Sequence, residues 1–324
     1  MKQVVVTGAA GFIGSHLCEA LLADGHQVHG VDSFAPHYSR ALKELNLRVS
    51  RQSELFSFTE MDIADGPLDD VVASADWVFH LAARPGVRDS WDDFDDYARS
   101  NIIGTKALLD ACAGRSTRLV YASSSSVYGD AAQLPVVETA PLRPISPYGA
   151  TKVMTETLAG AYAQSQSLEV IGLRYFTVYG PRQRPDMGMS RFIEAASADQ
   201  SIRIYGDGRQ MRDFTYVDDV VRATIAAANR GVAGSAYNVA SGNPLPLLDV
   251  LDVLGQVMGR SLKLTFEDPK SGDVRDTSAA TKLASSQLGF AAEVSLSAGL
   301  EVQVAEAARR RELTLGQPDA PGSA

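Results

Sequence analysis

Residues 3–14 read Gln3-Val4-Val5-Val6-Thr7-Gly8-Ala9-Ala10-Gly11-Phe12-Ile13-Gly14. A β-branched run that stops at three glycines spaced three apart predicts a strand, a tight turn and the start of a helix. Gly8 permits the turn, Gly11 lets the backbone approach a pyrophosphate at the helix N-terminus, and Gly14 permits close packing of helix on strand. The segment therefore predicts the opening of a dinucleotide-binding βαβ unit.

Outward from this segment, short apolar runs alternate with helical patterns through the first half of the chain. We predict strands at 3–7, 27–32, 55–62, 77–82, 118–123 and 169–176, and helices at 11–23, 65–74, 93–114 and 147–166. Near-continuous apolar strands that alternate with helices are typical of a parallel sheet covered on both faces. The sequence thus predicts an α/β fold: a doubly wound parallel (Rossmann) sheet with a smaller, mostly C-terminal α/β substrate domain.

The pattern becomes irregular after residue 180. There we predict a strand at 202–205 and helices near 190–199, 218–230, 246–258, 278–289 and 295–312. We expect the cofactor-binding domain to span 1–172, with 213–240 returning to it, and the substrate domain to span 173–212 and 241–314. Residues 315–324 contain Pro318, Pro321 and Gly322 among polar residues, and we expect a flexible tail there.

Side chains at predicted strand ends favour a particular cofactor. Asp32 ends the second strand, eighteen residues after Gly14, where a carboxylate can accept hydrogen bonds from an adenosine ribose. A carboxylate there would repel a 2′-phosphate, so the sequence favours NAD over NADP. Asp62-Ile63 and Leu81-Ala82-Ala83 follow the next two strands at the edge where open α/β sheets bind ligands, although either could be an ordinary strand terminus.

Tyr148 and Lys152 form a candidate acid–base pair. They are four residues apart in a helical stretch that begins after Pro147, so both project from one face. A free tyrosine has a pKa near ~10, and we expect the neighbouring ammonium and an oxidised nicotinamide to favour the phenolate. The pattern alone is common on protein surfaces.

The run Ser123-Ser124-Ser125-Ser126 ends the fifth predicted strand and gives the pair a context. A strand end beside the first strand would place these hydroxyls where they can hydrogen-bond a sugar hydroxyl or the ketone derived from it. We therefore predict that the Tyr–Lys pair and the serines lie in the same crevice.

Composition limits the remaining classes of function. The 324 residues are 45% hydrophobic, which is enough for a large core, and carry a formal charge of −9, which weighs against a generic binder of nucleic acid or anionic membranes. Two cysteines are too few for a disulfide scaffold, and the five histidines have no metal-ligand spacing, so we expect no metal. We see neither a signal peptide nor a membrane span and expect a cytoplasmic protein.

With these motifs in order, the chain resembles the extended short-chain dehydrogenases/reductases, specifically the NAD-dependent nucleotide-sugar epimerases and dehydratases. The resemblance rests on the glycines, the serine run, the Tyr-x-x-x-Lys pair, Leu173-Arg174-Tyr175-Phe176, Arg212-Asp213-Phe214 and Gly272-Asp273-Val274. It implies that Tyr148 is the catalytic base, that Lys152 tunes it and holds the nicotinamide ribose, and that Ser124 assists Tyr148. The cofactor-binding residues that we predict are Gly8, Gly11, Phe12, Ile13, Gly14, Asp32, Asp62, Ile63, Leu81, Ala82, Ala83, Ser123, Tyr148, Lys152, Tyr175 and Val178.

The resemblance also bears on the outcome of the reaction. Related 4,6-dehydratases carry an Asp-Glu pair at the positions of Ser125 and Ser126, and UDP-glucuronate decarboxylases carry a Glu at that of Ser126. Neither is present here, so the resemblance implies 4-epimerisation. The string from Phe176 to Met187, with Thr177 near its start, is similar to that of the UDP-glucuronate 4-epimerases, and short neutral hydroxyls suit a C6 carboxylate.

Other readings stay open at this stage. They are a UDP-glucose or UDP-N-acetylglucosamine 4-epimerase and, with less support, a UDP-glucuronate decarboxylase or a catalytically silent NAD-binding regulator. A silent regulator would be expected to lack the Tyr or the Lys, and both are present.

A UDP-sugar substrate needs cations for its diphosphate, and arginine suits this role best. Arginines are frequent between residues 170 and 215, and we expect them to face the crevice. By resemblance, Arg212 and Arg275 would contact the diphosphate, Arg191 the uridine and Arg184 the sugar–phosphate end, with Arg88 closing the sugar pocket. The substrate-binding residues that we predict are Pro85, Gly86, Arg88, Ser124, Ser125, Ser126, Tyr148, Thr177, Arg184, Arg191, Arg212 and Arg275. The predicted helices 93–114 and 147–166 match the family's dimer bundle, which implies a homodimer.

Overall fold

The computed structural model describes residues 1–268 and 274–315. Gly272 and Asp273, which contribute to the resemblance, lie outside this part, as do residues 316–324 of the predicted tail. The strands are β1 (Gln3–Thr7), β2 (Gln27–Asp32), β3 (Phe56–Glu60), β4 (Trp77–His80), β5 (Arg118–Ser124), β6 (Glu169–Tyr175), β7 (Thr177–Tyr179), β8 (Ile202–Tyr205), β9 (Met211–Arg212), β10 (Phe214–Tyr216), β11 (Ala236–Val239), β12 (Leu245–Pro246) and β13 (Leu264–Glu267). The helices are α1 (Phe12–Ala23), α2 (Arg40–Leu47), α3 (Leu68–Val72), α4 (Phe94–Tyr97), α5 (Gly104–Cys112), α6 (Pro147–Gln166), α7 (Gly188–Ser197), α8 (Val217–Arg230), α9 (Leu247–Val257), α10 (Lys282–Leu288) and α11 (Leu296–Leu315).

A seven-stranded sheet in the order β11-β6-β5-β4-β1-β2-β3 organises the fold. Every neighbouring pair in it is parallel. The direction of strand order reverses between β1 and β4, which is where open α/β sheets bind ligands. The doubly wound parallel sheet predicted from the sequence is confirmed.

The apolar strands are explained by burial on both faces of the sheet. Val4 and Val6 of β1 belong to one hydrophobic cluster, together with Leu17 of α1, whereas Val5 belongs to a second cluster with Leu108 of α5. Successive side chains of a strand point to opposite faces. Since each face packs against helices, no polar alternation is needed, and the strands read as continuous apolar runs.

Two features of the first half differ from the sequence-based expectation. Helix α2 was not predicted, because its eight residues fell between two strong strand signals. The predicted helix 93–114 is divided into α4, a π-helical turn over Ala98–Ile103 and α5. A Cβ on Gly104 would stand 2.9 Å from the Ile63 side chain, so the chain makes this close approach at a glycine.

The second half is built from small strand pairs and helices. β7 pairs in parallel with β10, β8 in parallel with β13, and β9 antiparallel with β12. β11 returns to the large sheet beside β6. The predicted boundaries of the two domains are not decided by these pairings and stay a prediction. In the described part of the chain, no helix is both long and apolar enough to cross a bilayer.

Candidate active site

The glycine-rich turn is packed against the neighbouring strand end. Gly8 adopts a left-handed backbone conformation with φ +73°, and a Cβ there would lie 2.7 Å from the Ala82 backbone nitrogen. A Cβ on Gly14 would collide with the carbonyl oxygen of Gly8. Residues with a side chain would therefore separate β1, β4 and α1. The N-terminus of α1, with its unpaired backbone N–H groups, opens at the reversal of strand order.

Asp32 lies beside this turn at the end of β2. Its two carboxylate oxygens accept hydrogen bonds from the backbone N–H groups of Ala10 (3.1 Å) and Phe34 (2.8 Å). Burial raises the pKa of Asp32, and the positive charge of Lys43 opposes that shift. Each oxygen retains a lone pair for a further donor. The glycine turn, the helix N-terminus and this carboxylate fit the pyrophosphate and adenosine ribose of a dinucleotide.

Lys43 is a site residue that the sequence did not indicate. It lies on α2, is 5% exposed, and donates from Nζ to the carbonyl oxygen of Ala35 at 2.7 Å. Burial lowers its pKa, and the charge of Asp32 opposes that shift. Since α2 itself was not predicted, the sequence offered no reason to place this ammonium beside Asp32.

The predicted site residues line a single cleft with a volume of about 2190 Å³. Those predicted for the cofactor are Gly8, Gly11, Phe12, Ile13, Gly14, Asp32, Asp62, Ile63, Leu81, Ala82, Ala83, Ser123, Tyr148, Lys152, Tyr175 and Val178. Those predicted for the substrate are Pro85, Gly86, Arg88, Ser124, Ser125, Ser126, Tyr148, Thr177, Arg184, Arg191, Arg212 and Arg275. The structure thus brings all of them to one crevice, while the ligand that each contacts stays a prediction.

Tyr148 and Lys152 are placed by the start of α6. Ser146 caps this helix by accepting a hydrogen bond from the Gly149 N–H at 3.1 Å, and Pro147 fills the first helical position. The Tyr148 N–H donates to Ser90 Oγ at 3.1 Å. The helix therefore starts at the cleft, and its first two turns carry both side chains into it.

Burial and two neighbouring groups determine the direction in which the pKa of Tyr148 is shifted. Burial raises it above its ordinary value, whereas hydrogen bonding with Ser124 and the positive charge of Arg184 lower it. The predicted stabilisation of the phenolate by Lys152 together with an oxidised nicotinamide stays a prediction. In this structure the Lys152 ammonium donates to the carbonyl oxygen of Ala122 at 2.9 Å. Burial also lowers the pKa of Lys152 to about 8, with the charge of Glu156 opposing the shift.

The serine run closes the cleft beside Tyr148. Ser124 Oγ accepts a hydrogen bond from the Ser126 N–H at 3.1 Å and lies 3.2 Å from Ser126 Oγ, so the chain turns at the end of β5. Ser123 Oγ donates to Glu156 Oε1 at 2.5 Å. Because its proton is used in this way, Ser123 can offer only acceptor lone pairs to a ligand.

The arginines predicted for the substrate have different partners. Arg184 donates from Nε and Nη2 to the carboxylate of Asp186 at 3.0 and 2.8 Å. Arg212 donates to backbone carbonyls, including that of Val274 at 2.8 Å. The Arg88 guanidinium lies 4.5 Å from the centre of the Tyr205 ring and so joins the loop after β4 to the end of β8. The Arg275 side chain is 81% exposed at the rim.

The expectation that the arginines of 170–215 face the crevice is wrong for Arg174, Arg182 and Arg209, which do not line the cleft. Arg174 lies on β6 and pairs with Glu156 of α6 at 2.7 Å, where both side chains are less than a tenth exposed. Arg182 pairs with Glu19 of α1 at 2.7 Å. Composition alone does not show which arginines are bound by carboxylates of the protein itself.

Asn101 is a further residue that the sequence did not indicate. It is 1% exposed, on the π-helical turn, and its amide oxygen accepts from the Arg84 N–H at 2.7 Å. Its Nδ2 donates to the Arg84 carbonyl oxygen at 3.0 Å and to Thr151 Oγ1 of α6 at 2.9 Å. The irregular turn thus ties the loop after β4 to the helix that carries Tyr148.

His80 and Cys112 are buried and do not line the cleft. His80 is a satisfied strand residue: its ring nitrogens lie 2.9 Å from Thr7 Oγ1 and 2.9 Å from Thr105 Oγ1, and burial lowers its pKa to about 3. Cys112 is fully buried in the second hydrophobic cluster. His80 is therefore neutral at physiological pH and supports the strand end.

A doubly wound sheet whose first turn fits a dinucleotide and whose crevice holds a Tyr–Lys pair defines the class of short-chain dehydrogenases and reductases. The model of the NAD-dependent epimerase/dehydratase family matches residues 4–240. The chain belongs to this family.

Relatives cover nearly the whole chain. A protein of Bacillus subtilis (strain 168) described as an uncharacterised UDP-glucose epimerase, YtcB, is 40% identical over 94% of this chain and 97% of its own length. The UDP-glucuronate 4-epimerase of Thermodesulfobacterium geofontis is 38% identical over 93% and 94%. The crystal structure of UDP-glucuronic acid 4-epimerase from Bacillus cereus, in complex with UDP-glucuronic acid and NAD, has a TM-score of 0.92 at 39% identity and covers 95% of this chain and 99% of its own.

Proposed function

We propose that this protein is a UDP-glucuronate 4-epimerase that interconverts UDP-glucuronate and UDP-galacturonate through a 4-keto sugar, with NAD bound. One observation carries the proposal: Tyr148, the serines 124–126 and Thr177 line one cleft with the dinucleotide cradle. The two positions at which related dehydratases carry acids hold Ser125 and Ser126. The homologous UDP-glucuronate 4-epimerases, one of them with UDP-glucuronic acid and NAD bound, support the same activity.

The cofactor would be held by the glycine turn of residues 8–14, the N-terminus of α1 and Asp32. NAD, when bound there, supplies the acceptor and donor of a hydride for C4 of the sugar. The carboxylate of Asp32 favours a free ribose 2′-hydroxyl over a 2′-phosphate. Burial raises the pKa of Asp32, and the positive charge of Lys43 opposes that shift and so favours the carboxylate form.

The proton chemistry belongs to Tyr148. Its phenolate takes the proton of the sugar O4 hydroxyl as a hydride leaves C4, so that the C4–O4 bond becomes a carbonyl. Lys152 stabilises the phenolate by its positive charge, and Ser124 donates a hydrogen bond to the reacting oxygen. After the ketone rotates, the Tyr148 hydroxyl returns its proton to O4 while C4 regains a hydride on the opposite face.

Ser125, Ser126 and Thr177 would bind the C6 carboxylate of the sugar. A 4-keto uronate is a β-keto acid and loses CO2 when its C5–carboxyl bond aligns with the ketone orbitals. Neutral hydroxyls hold the carboxylate away from that alignment without supplying a proton. In Thr177→Val and Ser126→Ala we expect a higher KM for UDP-glucuronate and a UDP-pentose by-product, and the absence of both would contradict this role.

The diphosphate and uridine are assigned to arginines at the outer part of the cleft. We place Arg212 and Arg275 at the diphosphate, Arg191 near the uridine, Arg184 at the sugar–phosphate end and Arg88 at the sugar. The charge of Arg184 reaches the phenol of Tyr148, which supports its position near the sugar. The planar guanidinium suits a diphosphate because it can donate two parallel hydrogen bonds.

The activity is tested by incubating the purified protein with UDP-glucuronate without added NAD and following the anomeric and H4 protons by NMR. UDP-galacturonate is the expected product. UDP-pentose would indicate a decarboxylase, and turnover of UDP-glucose without any change of UDP-glucuronate would indicate a neutral-sugar epimerase. An inactive protein that contains NAD would indicate a silent NAD-binding regulator.

A homodimer is proposed through the helices near 93–114 and α6. Ile103 and Met154 on these segments are 51% and 44% exposed, although both are large and apolar. Burying such side chains between two copies would remove apolar surface from water. Light scattering after size-exclusion chromatography should give the mass of two chains for the wild type and of one chain for Ile103→Lys/Met154→Lys. The cytoplasm is proposed as the location because both cysteines, Cys18 and Cys112, are buried as free thiols.

A further inference from the structure

Glu156 lies behind the proposed catalytic pair and outside the cleft. It follows Tyr148 and Lys152 on α6 at the same four-residue interval, so the three side chains share one face of the helix. Its Oε1 accepts from Ser123 Oγ at 2.5 Å and from Arg174 Nε at 2.9 Å, and its Oε2 accepts from Arg174 Nη2 at 2.7 Å. The carboxylate is therefore fixed from two strands.

Arg174 is fixed in turn by the surrounding structure. Its Nη1 donates to Tyr128 Oη at 2.8 Å and to the Glu138 carbonyl oxygen at 2.8 Å. Tyr128 Oη donates to Asn238 Oδ1 at 2.7 Å, which reaches β11. The network connects α6, β5, β6 and β11, so Glu156 cannot turn away without breaking several buried hydrogen bonds.

Titratable and charged side chains around Lys152 lie on three elements. Tyr148 and Glu156 lie on α6. His80 lies on β4 and is neutral at physiological pH, so it does not oppose the charge of Lys152. Arg174 lies on β6 and forms an ion pair with Glu156. Glu156 is the carboxylate whose charge favours the protonated form of Lys152, against the effect of burial.

We propose that Glu156 is a positioning residue that keeps the Lys152 ammonium charged and fixes the Ser123 hydroxyl beside the cofactor site. It acts through Lys152 and Ser123 and touches neither ligand. The inference rests on the proposed epimerase activity. Without the carboxylate, Lys152 would lose its proton at lower pH, and the phenolate of Tyr148 would lose its neighbouring cation.

The test compares the pH profiles of kcat for the wild type and Glu156→Gln, an isosteric change that removes only the charge. We expect the alkaline limb to shift down by about one pH unit, so that the loss is about tenfold larger at pH 8.5 than at pH 6.5. KM for UDP-glucuronate should change less than about twofold, since Glu156 does not contact the substrate. A merely structural defect would lower kcat equally at both pH values.

Two further variants keep the result interpretable. Glu156→Gln leaves the buried Arg174 unpaired, which can unfold the protein, whereas Glu156→Gln/Arg174→Met removes both charges and relieves that cost. The double variant should melt close to the wild type and still show the shifted alkaline limb. Glu169→Gln, which breaks the Arg118–Glu169 pair at the opposite end of the sheet, is the matched control and should keep the wild-type profile.

Distinct outcomes separate the two proposals. A wild-type protein without epimerase activity would overturn the proposed function. An active wild type together with a folded double variant of unchanged pH profile would overturn only the role of Glu156, as would a KM that rises while kcat and its pH dependence stay constant.

Discussion

Two buried lysines, Lys43 and Lys152, lie at opposite ends of the cleft in similar environments. Each is 5% exposed, each donates to a backbone carbonyl oxygen, and burial lowers the pKa of both. Each also has a carboxylate that opposes this shift, Asp32 for the first and Glu156 for the second. At both ends of the cleft, a carboxylate therefore favours the protonated form of a buried lysine.

The two carboxylates differ in what else they contact. Asp32 is held by backbone N–H groups and lines the cleft, so its remaining lone pairs are open to a ligand. Glu156 is bound by Arg174 and Ser123, away from the ligand. Under the proposed function, the carboxylate is the group that binds the ligand at the adenosine end, whereas the lysine is the group that supports catalysis at the sugar end.

Replacing Lys152 should therefore give the largest effect. We expect Lys152→Met to lower kcat by roughly 10²–10⁴-fold, because the phenolate of Tyr148 loses its cation and general base catalysis fails. Initial rates with UDP-glucuronate at saturating NAD measure this. If the variant, confirmed as folded by its melting temperature, kept more than a tenth of the wild-type kcat, the assignment would be wrong.

The pH dependence of the wild type should be nearly as large. Burial lowers the pKa of Lys152 to about 8, below the ordinary value for lysine, so the ammonium is present below this pH and is lost above it. We expect kcat to fall about tenfold per unit well above pH 8. A rate that stays constant up to pH 10 would show that the charge of Lys152 is not required.

At the adenosine end, the carboxylate should matter more than the lysine. We expect Asp32→Ala to weaken NAD binding by roughly 10–100-fold, the loss of charged hydrogen bonds of about 1.5–3 kcal/mol, and to improve binding of NADP relative to NAD. Calorimetric titration of the stripped protein with each nucleotide measures both effects. Unchanged NAD affinity would place the adenosine ribose elsewhere.

Lys43→Met should give the smallest effect. It removes the cation that compensates Asp32 without removing a ligand contact, so we expect NAD binding to weaken about fivefold, or about 1 kcal/mol. At saturating NAD, kcat should stay within about twofold of the wild type, in contrast to Lys152→Met. A loss of kcat as large as that of Lys152→Met would remove the distinction between the two ends.

The fold could be predicted from the sequence because its signals are local. The valines of β1 and the glycines after it define strand, turn and helix within twelve residues. Strands β1 and β2 have the predicted bounds, and β4 ends two residues earlier than predicted. The division of 93–114 was not predictable in this way, because Asn101 on the π-helical turn bonds to Arg84 and Thr151, which lie in other parts of the chain.

The sequence could predict which residues line the candidate site, but it could not predict which of the arginines form ion pairs with carboxylates of the protein. Tyr148, Lys152 and the serines follow from a motif with fixed spacing. Arg174 and Arg182 were placed in the crevice because nothing in the order of residues shows that Glu156 and Glu19 bind them. Long-range charge pairing is set by the packing of strands and helices, which appears only in three dimensions.

The close approach of Gly8 to Ala82 has a consequence for how this chain can change over generations. A single methyl group added at position 8 would clash with the backbone of Leu81 and Ala82, just after β4. Stability and nucleotide binding would therefore be lost together. Asp32 accepts a hydrogen bond from the turn through its side chain, and a mutation there does not insert an atom between the turn and β4. A change of cofactor preference during evolution should therefore occur by substitution of Asp32, whereas position 8 accepts no amino acid other than glycine.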